Sequence, residues 1–292
     1  MSNQDSTYRI SFANNQFRIF AADTTLSAQR MRDLHDLAPL PTIMMSRLIT
    51  SAALVAMDIK QEYGEIVLRI DSQAPLKGGI VIISRNGDLR GYSFNPGLFF
   101  ENKAENFNVG EFLKPGLLSV IRQDDSGKPF TGVVNLESGE IGEDLASYYL
   151  QSEQIPTAVN LGVLIDQHAK VRASGGFMIQ QLPQADSTIS DQIIESMNQM
   201  PNLSDLMDMG MTVIEILKKF ILKEYDYTIT ETRSIQFHCN CSKERFSNAL
   251  LLLGKDELET MREGIEPICH YCNTKYAFSK EDIQNIITRI GS

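Results

Sequence analysis

The chemistry this chain can do is concentrated in two short cysteine motifs. They are Cys239-Asn240-Cys241 and Cys269-His270-Tyr271-Cys272, separated by the 27 residues from Ser242 to Ile268. These are the chain's four cysteines, and none precedes position 239. Thiols gathered in so narrow a window serve either a metal site or a redox site. Four thiolates in two close pairs match tetrahedral zinc, for which Zn–S distances are about 2.3 Å. The expectation is one Zn2+ per chain, held in the reduced state by Cys239, Cys241, Cys269 and Cys272. His238 and His270 flank the pairs and are expected outside the ligand set, because four sulfurs already complete it. Lys243, Arg245 and Lys275 are close in sequence, and solvating the surface is their expected role.

The spacing has a mechanical consequence. An ion bound by both pairs joins the two ends of the intervening segment, so its binding energy is folding energy. For zinc-finger peptides that energy is on the order of 10–16 kcal/mol. A disulfide closed within one pair would span only a few residues and restrain almost nothing beyond itself. Oxidising each pair on itself would therefore free the metal and leave the two halves unconnected. Metal-held thiolates are also the form that oxidants attack.

The elements that must position these cysteines are legible in part. Ser242 is a good N-cap for a helix carrying Phe246, Leu250 and Leu253 and ending at Gly254. Asp256 to Arg262 reads as a second short helix, and Cys269 to Phe278 as a tight knuckle followed by a strand. Ser279-Lys-Glu-Asp282 resembles a capping box opening a last helix with Ile283, Ile286, Ile287 and Ile290. Upstream, Tyr8–Phe12 and Phe17–Ala21 form a hairpin signal around Asn14-Asn15. A helix should run from Thr24 or Thr25 to about Leu37, and the apolar run Pro41–Met57 reads as a buried helix and not a membrane span.

Beyond Glu65 the texture is β-branched, with strands expected at 65–70, 79–83, 117–121, 131–136, 157–165 and 171–182. Turn signals at Asn86-Gly87, Asn95-Pro96-Gly97 and Ser126-Gly127 separate several of them. A helix is expected over 142–152. Gly175-Gly176 within a strand signals a bulge or a close backbone approach. His35, beside Asp33 and Asp36, reads as a residue of a charged helix face.

These features predict an α+β fold in three parts. Residues 1–182 form an N-terminal, mainly antiparallel sheet domain with helices. Residues 183–230 form a helical middle region. Residues 231–292 form a small C-terminal zinc-binding domain, with a strand-like approach at Ser234–Phe237. Five of the chain's twelve methionines, Met197, Met200, Met207, Met209 and Met211, fall in the middle region. They read as gap-fillers of a helical layer packed on the sheet or, with a functional role, as an adaptable apolar surface suited to promiscuous binding. Composition alone favours the first.

Composition bounds the partners. The formal net charge is -10, with 27 basic and 37 acidic residues. Residues 232–292 hold eight of each, so the cysteine-bearing tail is neutral. Neither part offers the basic footprint of a nucleic-acid binder. The start, Met-Ser-Asn-Gln-Asp-Ser, has no basic-then-apolar export pattern, so a cytoplasmic location without a membrane partner is expected.

At Phe237-His-Cys-Asn-Cys-Ser-Lys-Glu-Arg-Phe246, Leu253-Gly254 and Cys269-x-x-Cys272-x-x-x-Tyr276-x-Phe278, the chain resembles the redox switch of the bacterial heat shock protein 33 family. Gly142-Glu-Asp-Leu-Ala146, Ser152-Glu-Gln-Ile-Pro-Thr157 and Gly175-Gly-Phe-Met-Ile-Gln180 resemble that family's N-terminal domain. The resemblance implies an ATP-independent holdase chaperone, not an enzyme, that binds unfolding client proteins under oxidative stress. It implies Cys239–Cys241 and Cys269–Cys272 disulfides on oxidation, with zinc release and unfolding of the C-terminal region. It also implies a stress-sensing role for residues 183–230 and a homodimer in the active form. Two other readings compete. One is a binding module with a purely structural zinc knuckle, which a basic face would favour. The other is a thiol oxidoreductase, which would need Cys269-x-x-Cys272 at a helix N-terminus in a βαβ setting.

Overall fold

Alternation along a few strands decides the architecture up to Phe237. The computed structural model describes residues 4–59, 64–99, 108–123 and 128–290, so the expected Ser126-Gly127 turn lies outside the described residues. Strands β1 (Asp5–Phe12) and β2 (Phe17–Asp23) form the hairpin about Asn14-Asn15, which lie at positive φ. Helix α1 (Thr25–His35) carries His35 in its last turn and stops at Asp36, which is left-handed. Helix α2 (Pro39–Ala56) opens on proline, the residue suited to a first helical turn. Strands β3 (Glu65–Ser72), β4 (Gly78–Ser84), β5 (Asp88–Ser93), β6 (Gly116–Gln123) and β7 (Pro129–Asn135) follow. Helix α3 (Ile141–Tyr148) runs into one π turn and leads to β8 (Thr157–Ile165) and β9 (Val171–Gln181). Three helices, α4 (Ser187–Gln199), α5 (Leu203–Asp208) and α6 (Val213–Phe220), precede strand β10 (Tyr227–Phe237).

The strands form one sheet in the order β7-β6-β3-β4-β5-β10-β1-β2-β9-β8. Its neighbours are antiparallel except β10 and β5, so the fold is mixed α+β with a mainly antiparallel sheet, as expected. Two strands differ from the sequence reading. Asp88–Ser93 has no β-branched residue and was not expected to be a strand. It becomes one because Asn86-Gly87 folds it back onto β4, with Gly87 at φ 86°. A Cβ on Gly87 would stand 2.0 Å from the Ser234 carbonyl oxygen. The second is β10, expected only from Ser234 and found from Tyr227. Its register partner β1 extends it, pairing from Asp5↔Ile235 to Phe12↔Tyr227. The expected division at 230/231 therefore falls inside a strand, and the chain divides into compact units at Phe237/His238.

Within the first unit, α2 packs against β2, β3, β4, β5, β8 and β9, so the sheet curls around it. This is the one helix, among the described residues, long and apolar enough to cross a membrane, and 89% of that stretch is buried inside the protein. Three of its hydroxyls are satisfied within the helix: Thr42, Ser46 and Thr50 donate to carbonyls one turn earlier, at 2.9, 2.7 and 3.0 Å, whereas the Ser51 hydroxyl is buried without a hydrogen-bond partner among the described residues. At its C-terminus Arg233 donates to the Ala56 carbonyl at 2.9 Å and Arg9 to the Met57 carbonyl at 2.8 Å, opposing the helix dipole.

The two faces of the sheet carry separate cores. On β2, Phe20 and Ala22 face the α2 core, while Phe17, Ile19 and Ala21 face the second. On β9, Met178 belongs to the first, and Ala173, Phe177 and Ile179 to the second. Helices α4, α5 and α6 close the second core with Ile193, Leu203, Leu206, Val213, Ile216 and Leu217. Gly175 and Gly176 mark close approach, as expected. A Cβ on Gly175 would lie 2.5 Å from Met207 Cε, and one on Gly176 would lie 2.7 Å from the Asn160 carbonyl oxygen. The irregularity in this strand pair falls instead at Leu164/Ile165.

Asp23, at the end of β2, ties α6 to the sheet by accepting the Val213 N–H at 3.2 Å. Burial pushes its carboxyl up to about 6, opposed by that N–H and aided by Asp5 and Glu215. The folded value lies above the unfolded one, so stability held by the protonated form is lost as pH rises through about 6. Asp23→Asn keeps the acceptor and removes the charge. It should slow hydrogen exchange in α6 at about pH 8, and its advantage over the native chain should shrink toward about pH 5. Equal protection at both pH values would show that the carboxylate charge has no part in docking the helix.

Candidate metal centre

The second unit, His238–Ser292, is built on three helices and a short ladder. These are α7 (Lys243–Leu251), α8 (Lys255–Thr260) and α9 (Lys280–Ile290), with the antiparallel bridges Ile265↔Phe278 and Ile268↔Lys275. The Ser242 hydroxyl accepts the Arg245 N–H and so starts α7. Asp282 and Ser279 exchange hydrogen bonds at the start of α9, a capping box with aspartate in the glutamate position. Leu250, Leu258, Phe278, Ile283, Ile286 and Ile287 are the buried core. Leu253 and Ile290, expected on the apolar faces, are 41% and 37% exposed.

The two motifs enter the centre in different ways. Cys239 and Cys241 lie in the extended segment between β10 and Ser242. Cys269 and Cys272 form the tip of the ladder, so the knuckle lies within a hairpin and does not simply precede a strand. Cys269 N–H donates to the Thr274 carbonyl at 2.9 Å, and Asn273 N–H donates back to the Cys269 carbonyl at 2.8 Å. Asn273, at φ 56°, lets the chain reverse so tightly.

All four cysteines are free, and their sulfurs lie within 4.8 Å of one another. Cys239 Sγ is 3.8 Å from Cys269 Sγ, and Cys241 Sγ is 3.3 Å from Cys272 Sγ. A tetrahedron with metal–sulfur bonds of about 2.3 Å has edges of about 3.8 Å. The residues thus fit a soft tetrahedral ion in donor type, number and spacing. His238 and His270 are exposed and stand outside this group. Lys243 pairs with Asp282 at 2.9 Å and Lys275 with Glu266 at 3.4 Å, so both ammonium groups are spent on carboxylates.

The thiols are not equivalent. Burial pushes Cys239 and Cys269 up. Burial also pushes Cys272 up, but hydrogen bonds from the Thr274 hydroxyl and N–H and from neighbouring sulfurs outweigh it and bring the thiol down to about 7. Binding an ion would displace the remaining thiol protons, so affinity rises with pH. A fifth residue, missed in the sequence, joins the centre: the Tyr276 hydroxyl lies 3.1 Å from Cys241 Sγ. Its position in Cys-x-x-Cys-x-x-x-Tyr carries no distance information without the hairpin.

The expected client-binding methionines belong to the first unit. Met207 is buried against Gly175, and Met197, Met200 and Met211 pack half-buried on the second core. Met209, at 80% exposure, is open to solvent. Four of the five thus fill gaps in the second core, and Met209 does not.

A family model described as Hsp33 protein matches residues 5–279. A 33 kDa chaperonin of Lachnoclostridium phytofermentans is 35% identical over 289 residues, covering 98% of this chain and 99% of its own length. One of Desulforamulus reducens is 36% identical over 291 residues, covering 98% of each chain. The crystal structure of the Thermotoga maritima 33 kDa chaperonin superposes with a TM-score of 0.90 at 29% identity and 99% coverage of both chains.

The geometry makes a metal-neutral prediction. Cobalt(II) added to the reduced chain should give the visible bands of tetrahedral thiolate coordination, saturating at one equivalent. Cys269→Ser should abolish saturation at that ratio. Bands unchanged in this variant would show that the cluster is not the ligand set.

Proposed function

The chain belongs to the Hsp33 family, and from that premise we propose that it is a redox-regulated, ATP-independent holdase that keeps unfolding proteins from aggregating under oxidative stress. Chaperone function follows from the family. The redox part rests on one observation: a sulfur tetrad drawn from two pairs that the intervening segment separates by 27 residues. Zinc bound there would hold all four sulfurs as thiolates and tie the two ends of the segment together.

In this reading, oxidation converts the pairs to Cys239–Cys241 and Cys269–Cys272 disulfides, and zinc leaves. Each disulfide restrains only its own short loop. The remaining core, centred on Leu250, Phe278 and Ile286, is too small to hold the unit by itself. Loss of that order destabilises the middle region over 183–230, whose helices then release Met197, Met200, Met207 and Met211 to join the already exposed Met209 as client-binding surface. Flexible thioethers suit a surface that must accept many sequences. The active form is proposed to be a cytoplasmic homodimer without enzymatic activity, and unfolding proteins are its partners.

Light scattering from a thermally unfolding client tests this. The reduced, zinc-loaded chain should leave the client to aggregate. The same chain treated with peroxide at mildly elevated temperature should suppress aggregation, with zinc released and two disulfides formed. Oxidised, metal-free protein that still lets the client aggregate would overturn the reading. Zinc retained under peroxide would point instead to a purely structural knuckle.

A further inference from the structure

Tyr276 sits in the same unit as the four cysteines, and the chemistry proposed above does not use it. Its ring is tilted against Phe246, with centroids 4.9 Å apart and planes at 33°, and it packs on the core of Leu250, Phe278 and Ile286. Its backbone N–H donates to the Pro267 carbonyl at 3.0 Å, within the hairpin that carries Cys269 and Cys272. The ring is therefore held at both its backbone and its face. The phenol hydroxyl ends 3.1 Å from one particular sulfur, Cys241 Sγ. Cys272 has a different oxygen neighbour, the Thr274 hydroxyl at 3.2 Å. The tetrad is thus chemically asymmetric, and a core side chain creates part of that asymmetry.

We propose that Tyr276 is a positioning residue that damps the reaction of Cys241 with hydroperoxides and helps keep the reduced centre closed. The proposal rests on the metal-bound, oxidisable tetrad of the preceding section. Oxidation begins when a sulfur lone pair attacks a peroxide oxygen. The O–O bond breaks, an S–O bond forms, and the products are a sulfenic acid and hydroxide. A second thiolate then attacks that sulfur, forming the S–S bond and expelling a second hydroxide. Two thiolates lose two electrons, and peroxide with two protons becomes two waters. A phenol O–H donated to Cys241 occupies a lone pair that the first step needs. It also fixes the orientation of a metal ligand, as outer-shell partners do.

Tyr276→Phe removes the hydroxyl and keeps the ring. In reduced, zinc-loaded full-length protein, peroxide should release zinc roughly three- to tenfold faster from this variant, and zinc affinity against a competing chelator should fall roughly tenfold. Brief alkylation followed by mass spectrometry should show Cys241 gaining reactivity relative to the other three. Phe246→Leu, which loosens the ring's support but keeps the hydroxyl, is the control. A merely structural role predicts the same uniform rise at all four cysteines in both variants. Equal zinc-release rates and an unchanged order of alkylation in Tyr276→Phe would overturn the proposal. Should the native reduced chain hold no zinc, the functional reading fails on its own account. Alkylation of the metal-free chain then still decides whether Tyr276 shields Cys241.

Discussion

The unit His238–Ser292 brings together four sulfurs from two places that its own chain keeps apart. Its buried apolar side chains are few and belong mainly to α7, α8 and α9, while the cysteines sit on an extended segment and at a hairpin tip. Burial of that size, at about 25 cal/mol per Å2, roughly balances the conformational entropy of ordering so short a chain. A four-thiol centre changes that balance, because forming it fixes the segment and the hairpin tip together. Everything local serves this geometry. The Ser242 cap starts α7 immediately after Cys241, the αL turn at Asn273 closes the knuckle, and the Phe246–Tyr276 contact joins α7 to the hairpin.

The first unit distributes its stability differently. One sheet serves two cores, because successive side chains on β2 and β9 point to opposite faces. The α2 side is dense, with the helix buried all round and its terminal carbonyls held by arginines. The α4–α6 side is thinner. Two of its three helices, α5 and α6, are short, and a carboxylate that burial disfavours ties it to β2. Opening the second face leaves the first core's contacts with α2 untouched. Local unfolding draws on such low-stability layers, so a helical layer that departs while the sheet persists is physically reasonable here.

What the sequence made legible follows from how local each signal is. The cysteine motifs, the Asn14-Asn15 hairpin, the Ser242 and Ser279 caps and the close approach at Gly175-Gly176 each depend on a few neighbouring residues, and each appears where expected. Strand β5 does not announce itself because it has no β-branched residue and is defined by the turn that folds it onto β4, and the first part of β10 because its partner β1 is distant in sequence. The compact units divide at Phe237/His238, past the expected 230/231, because Tyr227–Phe237 belongs to a sheet begun more than two hundred residues earlier. Tyr276 was visible as part of a motif but not as a sulfur's partner, because that contact arises only when the hairpin folds onto α7. The methionines illustrate the reverse limit. Their spacing shows a helical face, but which of them are covered depends on β1, β2 and β9.

The arrangement of the reduced sulfurs sharpens what oxidation must do. Close contacts join the two motifs, Cys239 to Cys269 and Cys241 to Cys272, within a cluster whose four sulfurs all lie within 4.8 Å of one another. A disulfide along either contact would close a loop of roughly thirty residues, a constraint of about 4 kcal/mol in the chain-entropy picture, and would lock the unit shut. A disulfide within a motif does the opposite, because it consumes ligands and ties together residues that were already neighbours. Oxidation therefore opens the unit only if each motif closes on itself before the sulfurs pair across. With all four sulfurs within 4.8 Å, proximity in the assembled centre leaves both routes available. In the proposed function, the decision would fall at the departure of a bound ion. The segment and the hairpin tip can then separate, and the contacts that survive are those within Cys239-Asn240-Cys241 and Cys269-His270-Tyr271-Cys272. Weak packing of the unit would then be part of the proposed chemistry, since a firmer core would hold the cross-motif sulfurs together and favour the disulfides that keep it closed.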